Sequence, residues 1–402
     1  MRRRRAAAGG GAEPPPRHPA QSGRPLLLPQ GRAGRGDVVR RADPGRRRHL
    51  LAPDQRPGAA QAQAGRCVKI GILYDGGSPD WEQKDVAAVL ANVNEIQGAL
   101  RAAGHETALI PVHLGDVAWL RRVQRHELIF NLCEGVNGYA KYEDFAVAAL
   151  ELCRVPFTGC PSWPVTISHR KHIANTLLAA AGVPVPPFVL ARGITPPSGL
   201  RYPVIVKPSG EDASVGIDGG AVCTTRKALR DRLARILEQW NEVLVQEYVP
   251  GREVNVGFVG REMLPLSEIV FDRMPEGSWP IVTYAAKWVT GSAEDLGTQP
   301  VCPARLAPEL ARRVTQAAKQ AWETLAGGQG YGRVDLRITD QGEAYVLEVN
   351  PNPDLSSDAG LARMGRARGW EYGDLILKVV DEALQRFGQA RAAEALTQNV
   401  PA

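Results

Sequence analysis

The residues of this chain that could do chemistry together lie in one stretch, residues 330–353, which reads GYGRVDLRITDQGEAYVLEVNPNP. Polar and apolar residues alternate over residues 333–338 and again over residues 343–350, and this alternation is typical of half-buried β-strands. The Thr-Asp-Gln-Gly sequence between the two segments favours a turn. The stretch therefore predicts a β-hairpin centred on Gln341.

In this hairpin Asp335 would lie opposite Glu348, and Arg333 opposite Asn350, so that two carboxylates, an amide and a guanidinium share one patch. Carboxylates crowded among apolar strands are unfavourable unless a cation lies between them. Oxygen ligands of this kind suit Mg²⁺, which takes few protein ligands and completes its shell with phosphate oxygens. The alternative is a solvated hairpin whose Arg–Asp pair lies on the exposed face.

A lysine and a small, glycine-bearing loop form a second candidate site. Lys207 follows a Val-Ile-Val run, so its ammonium would stand at the end of a buried strand. The backbone N–H groups of residues 209–216 could then approach a phosphate. The segment is not a P-loop, because the GxxxxGK[ST] pattern is absent. Taken alone, Lys207 would more often be a surface residue whose stem covers apolar surface.

The elements that must position these groups follow an α/β pattern. Residues 67–132 alternate strand-like and helix-like segments, which predicts a βαβαβ unit with a parallel sheet. A crevice forms at the carboxyl ends of such strands, and residues 133–138 would lie there. Further strands are expected over residues 204–208, 243–249 and 254–259. Helices are expected over residues 85–103, 143–153, 227–240, 308–325 and 375–387.

Five motifs with chemical side chains occur in order: Lys171, Val-Ile-Val-Lys207-Pro-Ser, Gln246-Glu247-Tyr-Val-Pro-Gly-Arg-Glu253, Arg333-x-Asp335 and Glu348-x-Asn350-Pro. Their order and approximate spacing resemble the ATP-grasp fold. From Lys69 to about Ala383 the chain resembles the D-alanine–D-alanine ligase family in particular. The resemblance implies an α/β protein of three domains, in which a Rossmann-like N-terminal domain precedes two lobes that clamp ATP.

The resemblance implies bounds for the three domains, and composition sets the bounds of the N-terminal tail. The parts are a disordered basic tail over residues 1–66, the N-terminal domain over 67–163, the central lobe over 164–250, the C-terminal lobe with the metal site over 251–390, and a tail over 391–402.

The resemblance assigns one group of residues to ATP. Lys171 and Lys207 would hold the phosphates, with residues 209–216 folded over them. The linker between the lobes would bind adenine through the Gln246 amide and the backbone of Glu247 and Val249. Glu253 would accept the ribose hydroxyls.

A second group would carry the metal and the reaction. Asp335, Glu348 and Asn350 match the family's ligands for Mg²⁺, and Mn²⁺ could replace it. Arg333 matches the residue that stabilises the transferring phosphoryl group, and Lys287 matches a mobile lysine that reaches the γ-phosphate. Ser214 is placed with these catalytic residues, although its neighbour Ala213 stands where the family usually has a loop serine.

The sequence departs from the family around the amino-acid pockets. The usual His-Gly-x-x-Gly-Glu-Asp-Gly motif is replaced from Cys133 onwards, and Asp354 and Ala359 stand where a glycine and a small hydroxyl residue are expected. The acidic residue that would hold the first substrate's ammonium is shifted along the sequence relative to the family's glutamate. Glu82 is the candidate for this role, and Asp80 is the alternative. The substrate candidates are Glu82, Glu134, Tyr284, Ser356 and Ser357.

Composition separates a basic tail from a mildly acidic body. The chain has 402 residues and a net charge of +6, but residues 1–66 hold 15 arginines and four acids, so the remainder is acidic. The tail's Gly, Pro and Arg content predicts disorder. It is either a nucleic-acid or anionic-surface arm, an inert tail, or sequence upstream of the true start. The six cysteines lack a C-x-x-C pair, and no segment reaches the ~20 apolar residues of a membrane span. A cytoplasmic protein is expected.

The hypothesis from sequence is an ATP- and Mg²⁺-dependent carboxylate–amine ligase, most simply a D-alanine–D-alanine ligase or a close relative. One alternative is an ATP-grasp ligase for other amino acids or peptides in a specialised pathway. Another is an ATP-binding module without catalytic activity. Small amino acids or peptides are the expected partners, a homodimer is an analogy with the family, and neither nucleic acid nor a membrane is expected as a partner.

Overall fold

The computed structural model describes residues 66–78 and 83–398. The predicted disorder of residues 1–66 falls, apart from Arg66, outside the described residues. Everything below belongs to the compact unit that begins at Cys67. No helix among the described residues is long and apolar enough to cross a membrane.

The first sheet is parallel and has three strands in the order β2-β1-β3. The predicted βαβαβ unit is therefore confirmed. Residues 70–73 of its central strand and residues 128–131 of its third strand are buried without alternation, because helices pack their apolar stripes on the sheet. The elements are β1 (Lys69–Asp75), α1 (Gln83–Ala102), β2 (Glu106–Val112), α2 (Trp119–Val123), β3 (Leu128–Leu132) and α3 (Glu143–Leu152).

The second sheet is antiparallel, in the order β4-β7-β5-β6. Its central strands are buried along their whole length, which explains their near-continuous apolar sequences. The elements are α4 (Ser162–Ser168), α5 (Lys171–Ala180), β4 (Phe188–Ala191), β5 (Val204–Pro208), β6 (Val222–Cys223), α6 (Arg226–Ile236) and β7 (Val243–Glu247).

The third sheet is antiparallel, in the order β11-β10-β8-β12-β13, with β9 paired to β8. The first of its elements are β8 (Arg252–Val259), β9 (Glu262–Met263), β10 (Ser267–Val270), α7 (Tyr284–Trp288), α8 (Ala293–Gly297) and β11 (Gln299–Val301). The rest are α9 (Pro308–Ala326), β12 (Tyr331–Ile338), β13 (Ala344–Pro351), α10 (Gly360–Arg368) and α11 (Tyr372–Gln398). Helix α11 passes the predicted end at residue 387, because the Ala-, Glu- and Gln-rich sequence that follows favours helix.

The hairpin of β12 and β13 has the predicted register. Asp335 pairs with Glu348 and Arg333 pairs with Asn350, and a bulge follows Asp335. Strand β8 flanks β12 on its other side, so Asp335 lies on an interior strand, whereas Glu348 and Asn350 lie on the edge strand β13. One hydrophobic core joins the first sheet to α11 and the end of β8, so apolar packing holds the first and third sheets together.

Candidate active site

A cleft of about 1080 Å³ opens where the three sheets face one another. Fourteen of the residues predicted from sequence line it: Lys171, Lys207, Ser214, Gln246, Glu247, Val249, Glu253, Lys287, Arg333, Asp335, Glu348, Asn350, Glu134 and Ser356. Within the described part of the chain, Tyr284 and Ser357 do not line the cleft. Glu82 and its rival Asp80 lie outside the described residues.

The candidate metal ligands form one hydrogen-bonded patch at the base of the cleft. Arg333 donates from Nε and Nη2 to the two carboxylate oxygens of Asp335, over 2.7 and 2.9 Å. Asn350 donates from Nδ2 to Asp335 Oδ2 over 2.8 Å, and its Nδ2 is 3.5 Å from Glu348 Oε1. Two carboxylates and an amide in one patch fit a hard divalent cation such as Mg²⁺.

Positive charge is in excess around Glu348. Lys171 Nζ lies 3.7 Å from Glu348 Oε2. Burial alone would raise the pKa of Glu348, but Lys171, Lys207, Lys287 and Arg333 outweigh it and lower the pKa well below its usual range. Four cations facing one or two carboxylates suit a ligand with several negative charges, such as a nucleotide phosphate chain.

Lys207 lies almost buried at the end of β5, with 8% of its surface exposed. Burial lowers the pKa of Lys207, and no ion pair or hydrogen bond holds its ammonium among the described residues. Beside it, Lys171 donates to the carbonyl oxygen of Glu211 in residues 209–216, which we call the phosphate loop. A buried ammonium that no carboxylate contacts directly is unfavourable, so the position fits a phosphate oxygen.

The far end of the cleft fits an adenine base. Gln246 is fully buried on β7, and neither Oε1 nor Nε2 has a hydrogen-bond partner among the described residues. An unsatisfied buried amide costs about 1–3 kcal/mol, which the edge of a purine would offset. Glu247 accepts hydrogen bonds from Arg201 N (2.8 Å) and Nε (3.0 Å), so its side chain is engaged, and its backbone N–H donates to the carbonyl oxygen of Pro187 over 2.8 Å.

Glu253 lies between the adenine end and the metal patch, and Arg337 holds it there. Arg337 Nη2 is 3.0 Å from Glu253 Oε2, and only 3% of the Arg337 residue is exposed. Arg337 also donates to the carbonyl oxygens of Gly251 and Pro280 and lies 5.6 Å from the centre of the Tyr248 ring. The arginine therefore ties the linker after β7 to the third sheet.

Helix α7 and the phosphate loop are tied together at the mouth of the cleft. Ser214 Oγ donates to the carbonyl oxygen of Val282 over 2.9 Å. Trp288 Nε1 donates to the carbonyl oxygen of Ala213 over 3.0 Å. Ala213 and Ser214 both have positive φ, 47° and 62°, which turns the loop towards α7. The structure thus places Ser214 in a contact between loops.

Lys287 is carried by α7 to the metal patch. Burial and the neighbouring Arg333 lower the pKa of Lys287, whereas Glu348 and Asp335 act in the opposite direction. These four groups influence one another because their charges lie close together. Helix α7 therefore places a cation beside the candidate metal ligands, where the phosphates would lie.

The opposite wall of the cleft is acidic. Glu134 follows β3 and keeps exposed surface, and desolvation within the cleft together with Glu143, Asp354 and Asp212 raises the pKa of Glu134 to about 8. Glu143 accepts a hydrogen bond from His169 Nε2 over 2.8 Å, and ligand atoms of Glu143, His169 and Asp212 lie within 4.8 Å of one another. A cationic group such as a substrate ammonium would relieve this repulsion.

Two side chains of the third sheet were missed by sequence reasoning. Asn255 on β8 donates from Nδ2 to Asp335 Oδ1 over 2.6 Å, and Arg337 binds Glu253 as described above. Strand alternation could have found Arg337, because residues 333, 335 and 337 share one face of β12. No local sequence pattern points to Asn255, because its position beside Asp335 depends on the pairing of β8 with β12.

Asn352 was also missed, and it joins the acidic wall to the metal hairpin. Its Oδ1 accepts a hydrogen bond from Cys160 N over 2.7 Å, and its Nδ2 donates to Glu143 Oε1 over 3.1 Å. Its backbone has φ of +50°, a conformation that asparagine tolerates better than most residues. The sequence signal would have been the Asn-Pro-Asn-Pro run itself.

Comparisons with known proteins agree with this geometry. A family model described as "D-ala D-ala ligase C-terminus" matches residues 177–381. A D-alanine–D-alanine ligase of Geobacter sulfurreducens is 30% identical over 325 residues, covering 79% of this chain and 95% of the relative. An uncharacterized protein of Sinorhizobium fredii is 29% identical over 333 residues, covering 79% of this chain and 93% of the relative.

Solved structures show the same fold. D-alanine–D-alanine ligase from Bacillus anthracis complexed with ATP superimposes with a TM-score of 0.61 at 21% identity, covering 81% of this chain and all of that one. VanG D-Ala:D-Ser ligase from Enterococcus faecalis superimposes with a TM-score of 0.61 at 20% identity, covering 79% of this chain and all of that one. The predicted α/β ATP-grasp fold is confirmed. The chain belongs to the D-alanine–D-alanine ligase family.

Proposed function

We propose that this protein is an ATP-dependent ligase that joins the carboxylate of one amino acid to the amine of another through an acyl phosphate. The observation that carries the proposal is the convergence of Lys171, Lys207, Lys287 and Arg333 on the carboxylate patch of Asp335 and Glu348. Family membership supports the same activity.

A carboxylate is a poor acyl donor until one of its oxygens carries a phosphoryl group. The carboxylate oxygen attacks the γ-phosphorus of ATP, and the bond to the β-phosphate oxygen breaks to release ADP. The amine then attacks the acyl carbon, phosphate leaves with the electron pair of its C–O bond, and the amine loses a proton. No protein nucleophile is needed, so the protein contributes position and charge.

Each cluster has a separate task in this scheme. Lys171 and Lys207 hold the phosphates, and Lys287 neutralises the γ-phosphate when α7 closes. Arg333 stabilises the transferring phosphoryl group and the oxyanion that forms at the acyl carbon. A bound divalent cation, Mg²⁺ or Mn²⁺, supplies further neutralisation of phosphate charge. The contact between Trp288 and Ala213 keeps water from the acyl phosphate.

The two substrates are proposed to be amino acids, with D-alanine the simplest choice. Glu134 and the acids beside it would hold the ammonium of the first substrate. Asp354 and Ala359, where the family usually has a glycine and a hydroxyl residue, support the alternative of another amino-acid or peptide pair. Cytoplasmic location and a homodimer remain predictions from the sequence.

A screen of ADP release over pairs of D- and L-amino acids tests the proposal. We expect turnover that depends on ATP, on a divalent cation and on both amino acids. If D-alanine alone is inactive and another pair is active, the alternative substrate class is correct. If ATP binds but no pair or short peptide releases ADP, the protein is a non-catalytic ATP-binding module and the ligase proposal is wrong.

A further inference from the structure

A histidine and two carboxylates from three separate segments meet on the acidic wall, and we call them the His169 cluster. Glu143 begins α3, His169 lies between α4 and α5, and Asp212 lies in the phosphate loop. Glu143 Oε2 is 2.8 Å from His169 Nε2, and one ligand atom of each residue lies within 4.8 Å of the other two. Imidazole nitrogen and carboxylate oxygen are both ligands of Zn²⁺ and related ions.

The spacing of these atoms suits a single ion. Zn²⁺ takes imidazole nitrogen and carboxylate oxygen at about 2.0–2.2 Å, so two ligands of one ion lie no more than about 4.4 Å apart. Atoms that already lie within 4.8 Å of one another therefore need a movement of only about half an ångström to share an ion. Three protein ligands would leave further positions of the ion to water.

Glu143 is the buried member of the cluster, and it is held in place. It is only 4% exposed, and Asn352 Nδ2 donates to its Oε1 over 3.1 Å. Hydrogen bonds of this kind orient the ligands of metal sites in proteins. The small opening also favours a bare ion over a substrate ammonium, which carries a carbon chain and would gain nothing from the His169 ring nitrogen.

The charge of the cluster matches a divalent cation. Among the described residues, no lysine or arginine forms an ion pair with Glu143 or Asp212, and Glu143 pairs only with His169. Lys171 follows His169 by two residues, but its ammonium faces Glu348 and the carbonyl oxygen of Glu211. Two carboxylates close together are unfavourable without a cation, and one divalent ion would neutralise both.

Asp212 lies between two attached points of the phosphate loop. At one end Lys171 N donates to the carbonyl oxygen of Ser209 over 3.0 Å, and at the other Ser214 Oγ donates to that of Val282 over 2.9 Å. An ion shared by Asp212 and Glu143 would attach the middle of the loop to α3, which packs on the first sheet.

We propose that Glu143, His169 and Asp212 bind a divalent transition-metal ion of the Zn²⁺ class, and that this ion fixes the phosphate loop to α3. Binding replaces the hydrogen bond between Glu143 and His169. The Nε2 atom releases its proton to solvent and gives its lone pair to the ion. This site is separate from the hairpin ligands of Mg²⁺, and its existence does not depend on the proposed ligase activity.

The test measures metal binding without ATP or amino acids. Wild-type protein is freed of metal with a chelator and titrated with Co²⁺, whose visible absorption reports a nitrogen ligand, while excess Mg²⁺ occupies the hairpin ligands. We expect one Co²⁺ per chain, displaced by Zn²⁺. His169→Gln should raise Kd for Co²⁺ by more than about 100-fold, because losing even a residue that orients a ligand costs about 10- to 100-fold.

Three further variants make the assignment specific. Asp212→Asn leaves the hydrogen bond between Glu143 and His169 intact and should still raise Kd for Co²⁺ by at least about 10-fold. His126→Gln is the matched control, because the His126 ring contacts the carbonyl oxygen of Arg122 outside the cleft, and it should bind Co²⁺ as wild type does. Asp335→Asn changes only the hairpin patch and should also keep the wild-type Kd.

Hydrogen exchange tests the attachment of the loop. Zn²⁺ should slow exchange at residues 209–216 in wild-type protein and leave it unchanged in Asp212→Asn. Exchange that Zn²⁺ does not slow in wild type would contradict the attachment.

The inference is overturned if wild type binds no Co²⁺ in the presence of Mg²⁺, or if His169→Gln or Asp212→Asn keeps the wild-type Kd. Binding that is lost in Asp335→Asn would assign the ion to the hairpin and overturn it as well. Each of these results leaves the proposed ligase standing. Conversely, a protein that releases no ADP can still bind the ion, so the two proposals fail separately.

Discussion

The guanidinium of Arg333 and the carboxylate of Asp335 form a two-point contact, Nε to Oδ1 over 2.7 Å and Nη2 to Oδ2 over 2.9 Å. Asp335 is a candidate metal ligand, and Arg333 is the candidate residue that stabilises the transferring phosphoryl group. A cation bound by Asp335 would compete with this contact and free the arginine to face the substrate. Metal binding and the positioning of Arg333 are therefore linked.

The first prediction concerns that linkage. Asp335→Asn removes one carboxylate charge from the patch and should raise the Mg²⁺ concentration for half-maximal ATP binding by at least about 10-fold. Titration of ATP binding against Mg²⁺ measures this directly. Asp340→Asn, in the exposed turn of the same hairpin, should leave the titration unchanged. Equal Mg²⁺ dependence in wild type and Asp335→Asn would remove Asp335 from the ligands.

The second prediction concerns the buried ammonium of Lys207. Lys207→Met should raise KM for ATP by about 10- to 150-fold, because a charged hydrogen bond to phosphate is worth about 1.5–3 kcal/mol. The initial rate at varied ATP and saturating amino acids gives this value. Lys227→Met, on the exposed surface of α6, is the control and should behave as wild type. A wild-type ATP KM in Lys207→Met would mean that the lysine faces no phosphate.

The third prediction concerns pH. Desolvation within the cleft and the acidic neighbours raise the pKa of Glu134 to about 8, although the residue keeps exposed surface, so its carboxyl gains negative charge as the pH rises through that range. If Glu134 holds the first substrate's ammonium, KM for that substrate should fall as the pH rises through about 8. In Glu134→Gln the fall should disappear, and in the exposed-surface control Glu238→Gln it should persist. A pH profile that is the same in Glu134→Gln and wild type would contradict the assignment.

The fourth prediction concerns stability. Arg337→Leu would leave the buried carboxylate of Glu253 unpaired, and breaking a buried pair in this way costs about 3–5 kcal/mol. Urea unfolding should therefore show a lower midpoint with a similar slope. Arg313→Leu, an exposed arginine of α9, should change the free energy of unfolding by less than about 0.5 kcal/mol. A near-wild-type midpoint for Arg337→Leu would show that Glu253 is solvated or neutral.

How much the sequence predicts depends on how local the relevant contacts are. The facing of Asp335 and Glu348 follows from two short segments and one turn, and alternation predicts this pair but not the bulge beside it, after which Leu336 pairs with Val346. The position of Lys207 at the end of β5 is predicted in the same way, because the Val-Ile-Val run that precedes it indicates both the strand and its end.

Contacts between distant segments are not visible in such patterns. Asn255 reaches Asp335 across 80 residues of sequence, and Asn352 reaches Glu143 across 209. Both depend on which strands and loops become neighbours, which no local periodicity encodes. The unpartnered side-chain amide of Gln246 is a property of the packed cleft, so it too appears only in three dimensions.

The most direct test of the proposed chemistry follows an oxygen atom. The first amino acid of an active pair is labelled with a heavy oxygen isotope in its carboxylate, and the released phosphate is examined by mass spectrometry. An acyl phosphate requires one labelled oxygen to pass from the carboxylate to phosphate in each turnover. We expect that transfer, and released phosphate without label would contradict the account.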